Sequence, residues 1–139
     1  MEDSKGWWIN NFKTYIHEQL HARSLIKGHN KDLKSIYASH RAMEEGVVEY
    51  LAQSICKRDK IPFSTSYDEY VKPLKSINSI VYKNRLSDYD FAKMLFDIPM
   101  EERYNKIESI VNQYTLNDKK YNRKRKHRLT LSLKQLESG

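Results

Sequence analysis

The chain has 139 residues and a formal net charge of +7, and 31% of its residues are charged. One domain is expected at this length, and the hydrophobic content of 39% is enough for a real core. No apolar run approaches the roughly 18 residues that a membrane-spanning helix needs, so we expect no membrane insertion. The single cysteine, Cys56, allows no disulfide within the chain. This fits a reducing compartment, and we expect a cytoplasmic location.

The positive charge is concentrated in the last 23 residues of the chain. Residues 117–139 hold eight Lys or Arg side chains against two acids, which gives a net charge of +6. Residues 1–116 hold 17 bases against 16 acids, a net charge of +1. We therefore predict a helical domain at 1–116 and a basic C-terminal segment at 117–139.

The scarcity of glycine and proline predicts an all-α protein, a compact bundle of about five helices with a basic C-terminal helical segment. A first helix is expected to end near Lys27. A second should run from Asn30 to about Lys57, and Gly46 within it indicates a close crossing with a neighbouring helix. Helical spacing predicts that nine apolar side chains are buried together: Trp8, Phe12, Ile16, Leu20, Ile36, Val47, Leu51, Ile107 and Val111.

The middle of the chain contains two prolines that should shape its helices. After a loop at 57–66, we expect a Ser66-capped turn at 67–71 and a new helix start at Pro73, because proline removes a backbone donor. Ser87 followed by Asp90 resembles a capping box that opens a short helix. Pro99 should begin a further helix to about Tyr114. Its apolar seam over 100–114 predicts packing on a partner helix and is a candidate homodimer contact.

The end of the chain has an ambiguous pattern. Residues 129–133 alternate between apolar and polar as a strand would, whereas Leu129, Leu133 and Leu136 also share one helix face. We expect a helix, because a lone strand has no evident partner.

The basic run at 119–128 contains seven Lys or Arg side chains and no acid. Such a run binds phosphate by releasing condensed counterions, and an interleaved tyrosine can stack on an unpaired base. We therefore expect a non-enzymatic protein without a cofactor that binds the nucleic-acid backbone independently of sequence. The expected contact residues are Lys119, Lys120, Tyr121, Arg123, Lys124, Arg125, Lys126 and Arg128. The alternative is an inhibitor or adaptor that binds protein, such as a mobile-element protein acting on a host nucleoprotein machine.

A second motif lies in the first helix, where His17-Glu18-Gln19-Leu20-His21 forms the His-Glu-x-x-His pattern. This pattern resembles the zinc helix of zinc metallopeptidases. Histidines at i and i+4 can share one zinc ion, and the intervening glutamate can act as general base. The gluzincin group of those enzymes takes its third ligand from a later helix, which implies Glu44 or Glu45. The opposing interpretation is a pair of surface histidines on a helix that packs through its apolar face, with no catalytic residue.

Overall fold

The computed structural model describes residues 2–27, 33–83, 85–117 and 122–137, and for 2–10, 25–27 and 33 it describes the backbone alone. Seven α-helices and no strand occur among these residues, which confirms the all-α expectation. None of these helices is both long and apolar enough to cross a bilayer. The helices are α1 (Glu2–Lys27), α2 (Leu33–Ser39), α3 (Arg41–Arg58), α4 (Asp68–Ile77), α5 (Asp88–Phe96), α6 (Arg103–Asn117) and α7 (Arg123–Leu136).

Helix α3 lies at the centre and packs against α1, α4 and α5. Met43, Val47 and Val48 are completely buried in it. Gly46 confirms the predicted close crossing, since a Cβ at this position would lie 3.0 Å from Tyr70 Cβ on α4. The absence of a side chain at Gly46 therefore lets α4 approach the backbone of α3.

The predicted single helix over 30–57 is wrong, because the chain turns at His40 between α2 and α3. His40 has φ −127° and ψ 25°, outside the helical region. A continuous helix would separate Tyr37 and Glu45 by about 12 Å along its axis. The turn instead brings the Tyr37 hydroxyl within 3.0 Å of Glu45 Oε1. The predicted start at Asn30 lies outside the described residues.

The predicted restart at Pro73 is also wrong, since α4 runs through Pro73 and continues into a π-helical turn at Asn78–Tyr82. Val71, Pro73, Leu74 and Ile77 are all buried on the inner side of α4. A buried aliphatic side chain contributes about 1.5–3 kcal/mol, so this face outweighs the roughly 3 kcal/mol that an interior proline costs.

The second half of the chain follows the sequence prediction more closely. Ser87 caps α5 as expected, and its Oγ accepts a hydrogen bond from the Asp90 backbone N–H at 3.0 Å. Pro99 precedes a 3₁₀ turn at Met100–Glu102 that leads into α6. Met100, Ile107 and Val111 of the predicted seam are buried within this chain. Tyr104 and Tyr114 of the same seam are half-buried, and the homodimer contact stays a prediction.

The C-terminal segment is the helix α7, as expected, and it packs against α4 and α6. Leu129 and Leu136 belong to the same buried cluster as Leu51 and Leu74. The domain boundary at 116 stays a prediction, and this packing gives it a specific test. Of the predicted core side chains, five are buried, Ile16 packs at the edge, two are half-buried, and that of Trp8 lies outside the described side chains.

Candidate metal site and basic surface

Two histidines of α1 face three glutamates of α3 across the packed interface of these helices. His17 is 6% exposed, so the interpretation of the pair as surface histidines is wrong. His17 and His21 lie one helical turn apart, with ring centroids 4.5 Å from each other. Glu45 on α3 is 3% exposed and lies opposite both rings. The site therefore sits inside the bundle, between its first long helix and its central one.

The histidines converge on Glu45 through the same ring nitrogen. His21 Nε2 lies 2.8 Å from Glu45 Oε1, and His17 Nε2 lies 3.6 Å from Glu45 Oε2. One ligand atom from each of the three residues fits within a 4.8 Å span. We call His17, His21 and Glu45 the metal cluster. Glu45 Oε2 is buried and has no hydrogen-bond partner among the described residues, which is uncommon for a carboxylate oxygen.

The far side of His17 is held by a second carboxylate. His17 Nδ1 lies 2.8 Å from Glu49 Oε1. Glu49 Oε2 in turn forms an ion pair with Lys13 Nζ at 2.8 Å, and Gln53 Nε2 donates to it at 2.7 Å. Lys13 is itself 5% exposed and also donates to the Ser64 carbonyl at 2.6 Å. A buried cation, a carboxylate and an imidazole thus form a relay that fixes the His17 ring.

His21 has a matching relay on its own far side. His21 Nδ1 lies 2.7 Å from Glu44 Oε2. Glu44 Oε1 accepts hydrogen bonds from Arg103 Nη1 and Ser24 Oγ, both at 2.6 Å. Arg103 is fully buried and also donates to three carbonyls at the end of α5, those of Leu95, Phe96 and Ile98. Glu44, suggested by the sequence as third ligand, thus holds His21 from behind, while Glu45 occupies the ligand position.

The two relays determine which histidine nitrogen faces Glu45. An ionised carboxylate only accepts hydrogen bonds, so both Nδ1 atoms carry a proton. The Nε2 atoms then point towards Glu45 and are the ones that can coordinate a metal after losing their protons. Histidines that bind zinc commonly donate their other N–H to a carboxylate in this way.

The pKa values of the two histidines and the three glutamates reflect strong pairing between opposite charges. Burial alone would lower the pKa of His21, but its contacts with Glu44 and Glu45 outweigh burial and raise that pKa to about 9. The pKa of His17 is raised for the same reason, through Glu45 and Glu49. Burial would raise the pKa of each glutamate, yet contacts with the histidines and buried cations hold all three below the usual range. Without a metal, the glutamates are therefore ionised at neutral pH and His21 is protonated.

A pocket of about 440 Å³ opens onto the metal cluster. Glu18 is exposed on its wall, one residue after His17, where the His-Glu-x-x-His pattern places a general base. Tyr37 and Tyr67 form the aromatic side of the pocket, and Lys34 is exposed at its edge. The Tyr37 hydroxyl donates to Glu45 Oε1 at 3.0 Å and so orients the carboxylate.

The residues of the cluster fit a zinc ion. Two imidazole nitrogens and one carboxylate are a common set of protein ligands in catalytic zinc sites, which leave a further position for water. Glu45 Oε2, which lies 3.6 Å from His17 Nε2 and accepts no hydrogen bond from the described residues, would supply the oxygen, and the relays present both Nε2 atoms. His17, His21 and Glu45 could therefore hold a single zinc ion beside Glu18.

The described part of the basic run forms the first turns of α7. Arg123, Lys124, Lys126 and Arg128 are exposed, and we call these four residues the basic face. Arg125 is half-buried, while Lys119, Lys120 and Tyr121 lie outside the described residues. Asn122 caps the helix by accepting hydrogen bonds from the Lys124 and Arg125 backbone N–H groups at 2.9 and 3.1 Å. The helix thus holds four of the predicted contact cations on one exposed element.

Comparison with known proteins gave no match: no family model, no curated protein and no solved structure is significantly similar to this chain. Functional interpretation therefore depends on the geometry of the site.

Sequence reasoning missed most of the residues that support the metal cluster. Glu45 and Glu49 lie four residues apart on one helix face, a spacing that could have indicated a ligand with its supporting carboxylate. No pattern in the sequence indicated that Lys13 or Ser66 would support the metal cluster. Arg103 lies 59 residues from Glu44 along the chain, and only the tertiary fold brings the two together.

Proposed function

We propose that this protein is a zinc-dependent hydrolase of amide or ester bonds. His17, His21 and Glu45 bind the zinc ion, and Glu18 acts as general base. The sequence favours nucleic-acid binding over zinc hydrolysis, and this proposal reverses that order. The reason is that α3 adds glutamates to a metal site that the histidine motif alone does not define.

The observation that carries the proposal is the Glu45 carboxylate. It is 3% exposed and lies against both histidines, yet its Oε2 has no hydrogen-bond partner among the described residues. Leaving a buried acceptor unsatisfied costs about 1–3 kcal/mol, and more for a charged group. A divalent cation bound between Glu45 and the two Nε2 atoms would satisfy this oxygen.

The chemistry follows from the roles of the side chains. Bound zinc supplies Lewis acidity to a water molecule and to a substrate carbonyl. Glu18 accepts a proton from the attacking water and can pass it to the leaving group. Glu44 and Glu49 keep the imidazoles in one tautomer and orientation, and the pocket admits the substrate.

Zinc content tests the proposal directly. Full-length protein purified without added metal, or after dialysis against zinc, should carry about one zinc ion per chain by mass spectrometry. His21→Ala should abolish this binding, whereas His127→Ala, at an exposed position on α7, should leave it unchanged. Glu18→Gln should keep the zinc ion and lose hydrolysis of fluorescein-labelled casein or of a generic ester.

Zinc content below about a tenth of an equivalent after zinc loading would overturn the proposal. The cluster would then be a network of buried ion pairs that orders α1 against α3.

The basic face supports a second function, binding to the nucleic-acid backbone. The supporting observation is the concentration of four exposed cations in the first turns of a helix that is anchored in the core by Leu129 and Leu136. Replacing Arg123, Lys124, Lys126 and Arg128 by alanine should weaken binding to nucleic acids of unrelated sequence by similar factors. It should also flatten the log–log salt dependence by about 0.9 for each lost duplex contact.

Fluorescence anisotropy across a salt series measures both effects. Affinity that is independent of salt, or unchanged in the four-alanine variant, would contradict nucleic-acid binding. A protein captured equally from nuclease-treated and untreated lysate would instead favour the adaptor function.

A further inference from the structure

Tyr67 has an unusual backbone conformation for its position. Three non-glycine residues in the described chain have positive φ: Lys60, Tyr67 and Lys83. Lys60 and Lys83 follow the ends of helical segments, where a left-handed residue commonly terminates the helix. Tyr67 instead has φ 54° and ψ 37° at the N-cap of α4, where an extended residue is usual. Residues held in this region cluster at functional sites.

The metal cluster and its relays fix this conformation. Ser66, the preceding residue, donates its backbone N–H to Glu49 Oε2 at 3.2 Å, and its Oγ accepts from Lys13 Nζ at 3.1 Å. The Tyr67 ring stacks on the His17 ring, with 5.5 Å between centroids and 13° between planes. The Tyr70 ring in turn stacks on the Tyr67 ring, with 6.3 Å between their centroids. The left-handed turn therefore places the Tyr67 ring against a zinc ligand.

The Tyr67 hydroxyl lies close to the carboxylate of a proposed metal ligand, Glu45. Tyr37 uses its hydroxyl to hold Glu45, and Tyr67, which lines the pocket, interacts with the same carboxylate. Interaction with the Glu45 carboxylate, together with burial, raises the pKa of Tyr67 to about 12. The hydroxyl is a hydrogen-bond donor, as a phenol is at neutral pH, and the carboxylate beside it belongs to a proposed metal ligand.

We propose that Tyr67 is a catalytic residue whose hydroxyl donates a hydrogen bond to the substrate carbonyl oxygen as that oxygen gains negative charge. This inference rests on the proposed hydrolase function. A donor fixed in advance towards developing charge stabilises a transition state without reorganising at the moment of reaction. The stacked rings and the left-handed backbone supply that fixed position.

Acetohydroxamate tests this role without a known substrate, since it binds zinc and presents a carbonyl oxygen beside it. Zinc-loaded Tyr67→Phe keeps the ring and its stacking, so zinc affinity should stay within about twofold of wild type. Acetohydroxamate should bind this variant roughly 5- to 10-fold more weakly, the loss of one hydrogen bond. Tyr70→Phe is the matched control, because its hydroxyl bonds to Arg41 rather than lining the pocket, and it should bind like wild type.

Equal acetohydroxamate affinity in Tyr67→Phe and wild type would overturn the inference, as would equal weakening in Tyr70→Phe. A wild-type protein that binds zinc but not acetohydroxamate would also overturn it. These results leave the zinc site standing. A wild-type protein that fails to bind zinc instead removes the hydrolase function and this role together.

Discussion

The metal cluster and the basic face both concentrate charge, but they hold it in opposite ways. Around the metal cluster, acids and bases alternate within 2.6–3.6 Å of one another and are buried. On the basic face, four charges of one sign lie in solvent along a single helix. The first arrangement fixes atoms for chemistry at one point, while the second supplies a field with little positional information. Net charge reveals only the second kind of region.

The two sides of α7 should contribute differently to the free energy of unfolding. Leu136 is fully buried and Leu131 is 47% exposed. Leu136→Ala should lower the free energy of unfolding by about 2–5 kcal/mol through a lost core contact. Leu131→Ala should change it by less than about 0.5 kcal/mol. Urea denaturation followed by circular dichroism measures both.

Similar small losses in the two variants would mean that α7 is an appendage. A fragment ending at residue 116 should then melt cooperatively, as the sequence-based boundary predicts. If Leu136 is instead part of the core, that fragment should be strongly destabilised.

The metal cluster, unlike the basic face, should make the stability of the protein depend on pH. In zinc-free protein, the pKa of His21 rises from 6.5 to about 9 on folding. A raised pKa adds stability that is fully present below pH 6.5 and is lost as the pH rises through about 9. The free energy of unfolding should thus fall by roughly 3 kcal/mol between these limits.

Chelator-treated protein in urea titrations at pH 6.5, 7.5 and 9 provides this measurement. The His21→Asn variant should lose much of the dependence. A wild-type curve that is flat over this range would show that the cluster is not paired as described. The lowered pKa values of Glu44 and Glu45 act in the opposite direction, so their contribution should disappear under acidic conditions.

The smallest expected effect concerns the relays behind the proposed zinc ligands. Glu49→Gln retains the size of the side chain but removes the charge between His17 and Lys13. Loss of such a supporting carboxylate typically weakens metal affinity by 10- to 100-fold. Zinc affinity should therefore fall in this range, as measured by competition with a chromophoric chelator.

A surface variant, Glu108→Gln, makes the same chemical change at an exposed position of α6 and serves as the control. Unchanged zinc affinity in Glu49→Gln would show that the His17 ring is positioned by helix packing alone.

Local features of the fold were predictable from sequence, and those that depend on distant partners were not. The Ser87 cap and the helical form of α7 each follow from residues near one another in the chain. The break at His40 and the uninterrupted α4 depend on which surfaces these segments cover. Local propensity is a weak guide once tertiary burial contributes several kcal/mol.

The residues of the candidate site also divide into those that the sequence indicates and those that only the fold brings together. Histidines four residues apart can be recognised directly in the sequence, and their carboxylate ligand could be assigned only to one of two adjacent glutamates. The fold distinguishes the two, because Arg103 and Ser24 hold Glu44 on the side of His21 away from Glu45. Arg103 reaches that position from α6, and nothing in the spacing of its neighbours indicates this contact.

Gly46 has a consequence for tracing the ancestry of the proposed site. It directly follows the ligand Glu45, and any side chain there would press on Tyr70 and Leu74 of α4, the helix that begins at the Tyr67 cap. A lineage that keeps the pocket is thus constrained at a position that touches neither metal nor substrate. Homologues with this site should pair His-Glu-x-x-His with a later Glu-Glu-Gly-x-x-Glu. The second half of that signature separates descent from chance occurrence of the histidine motif.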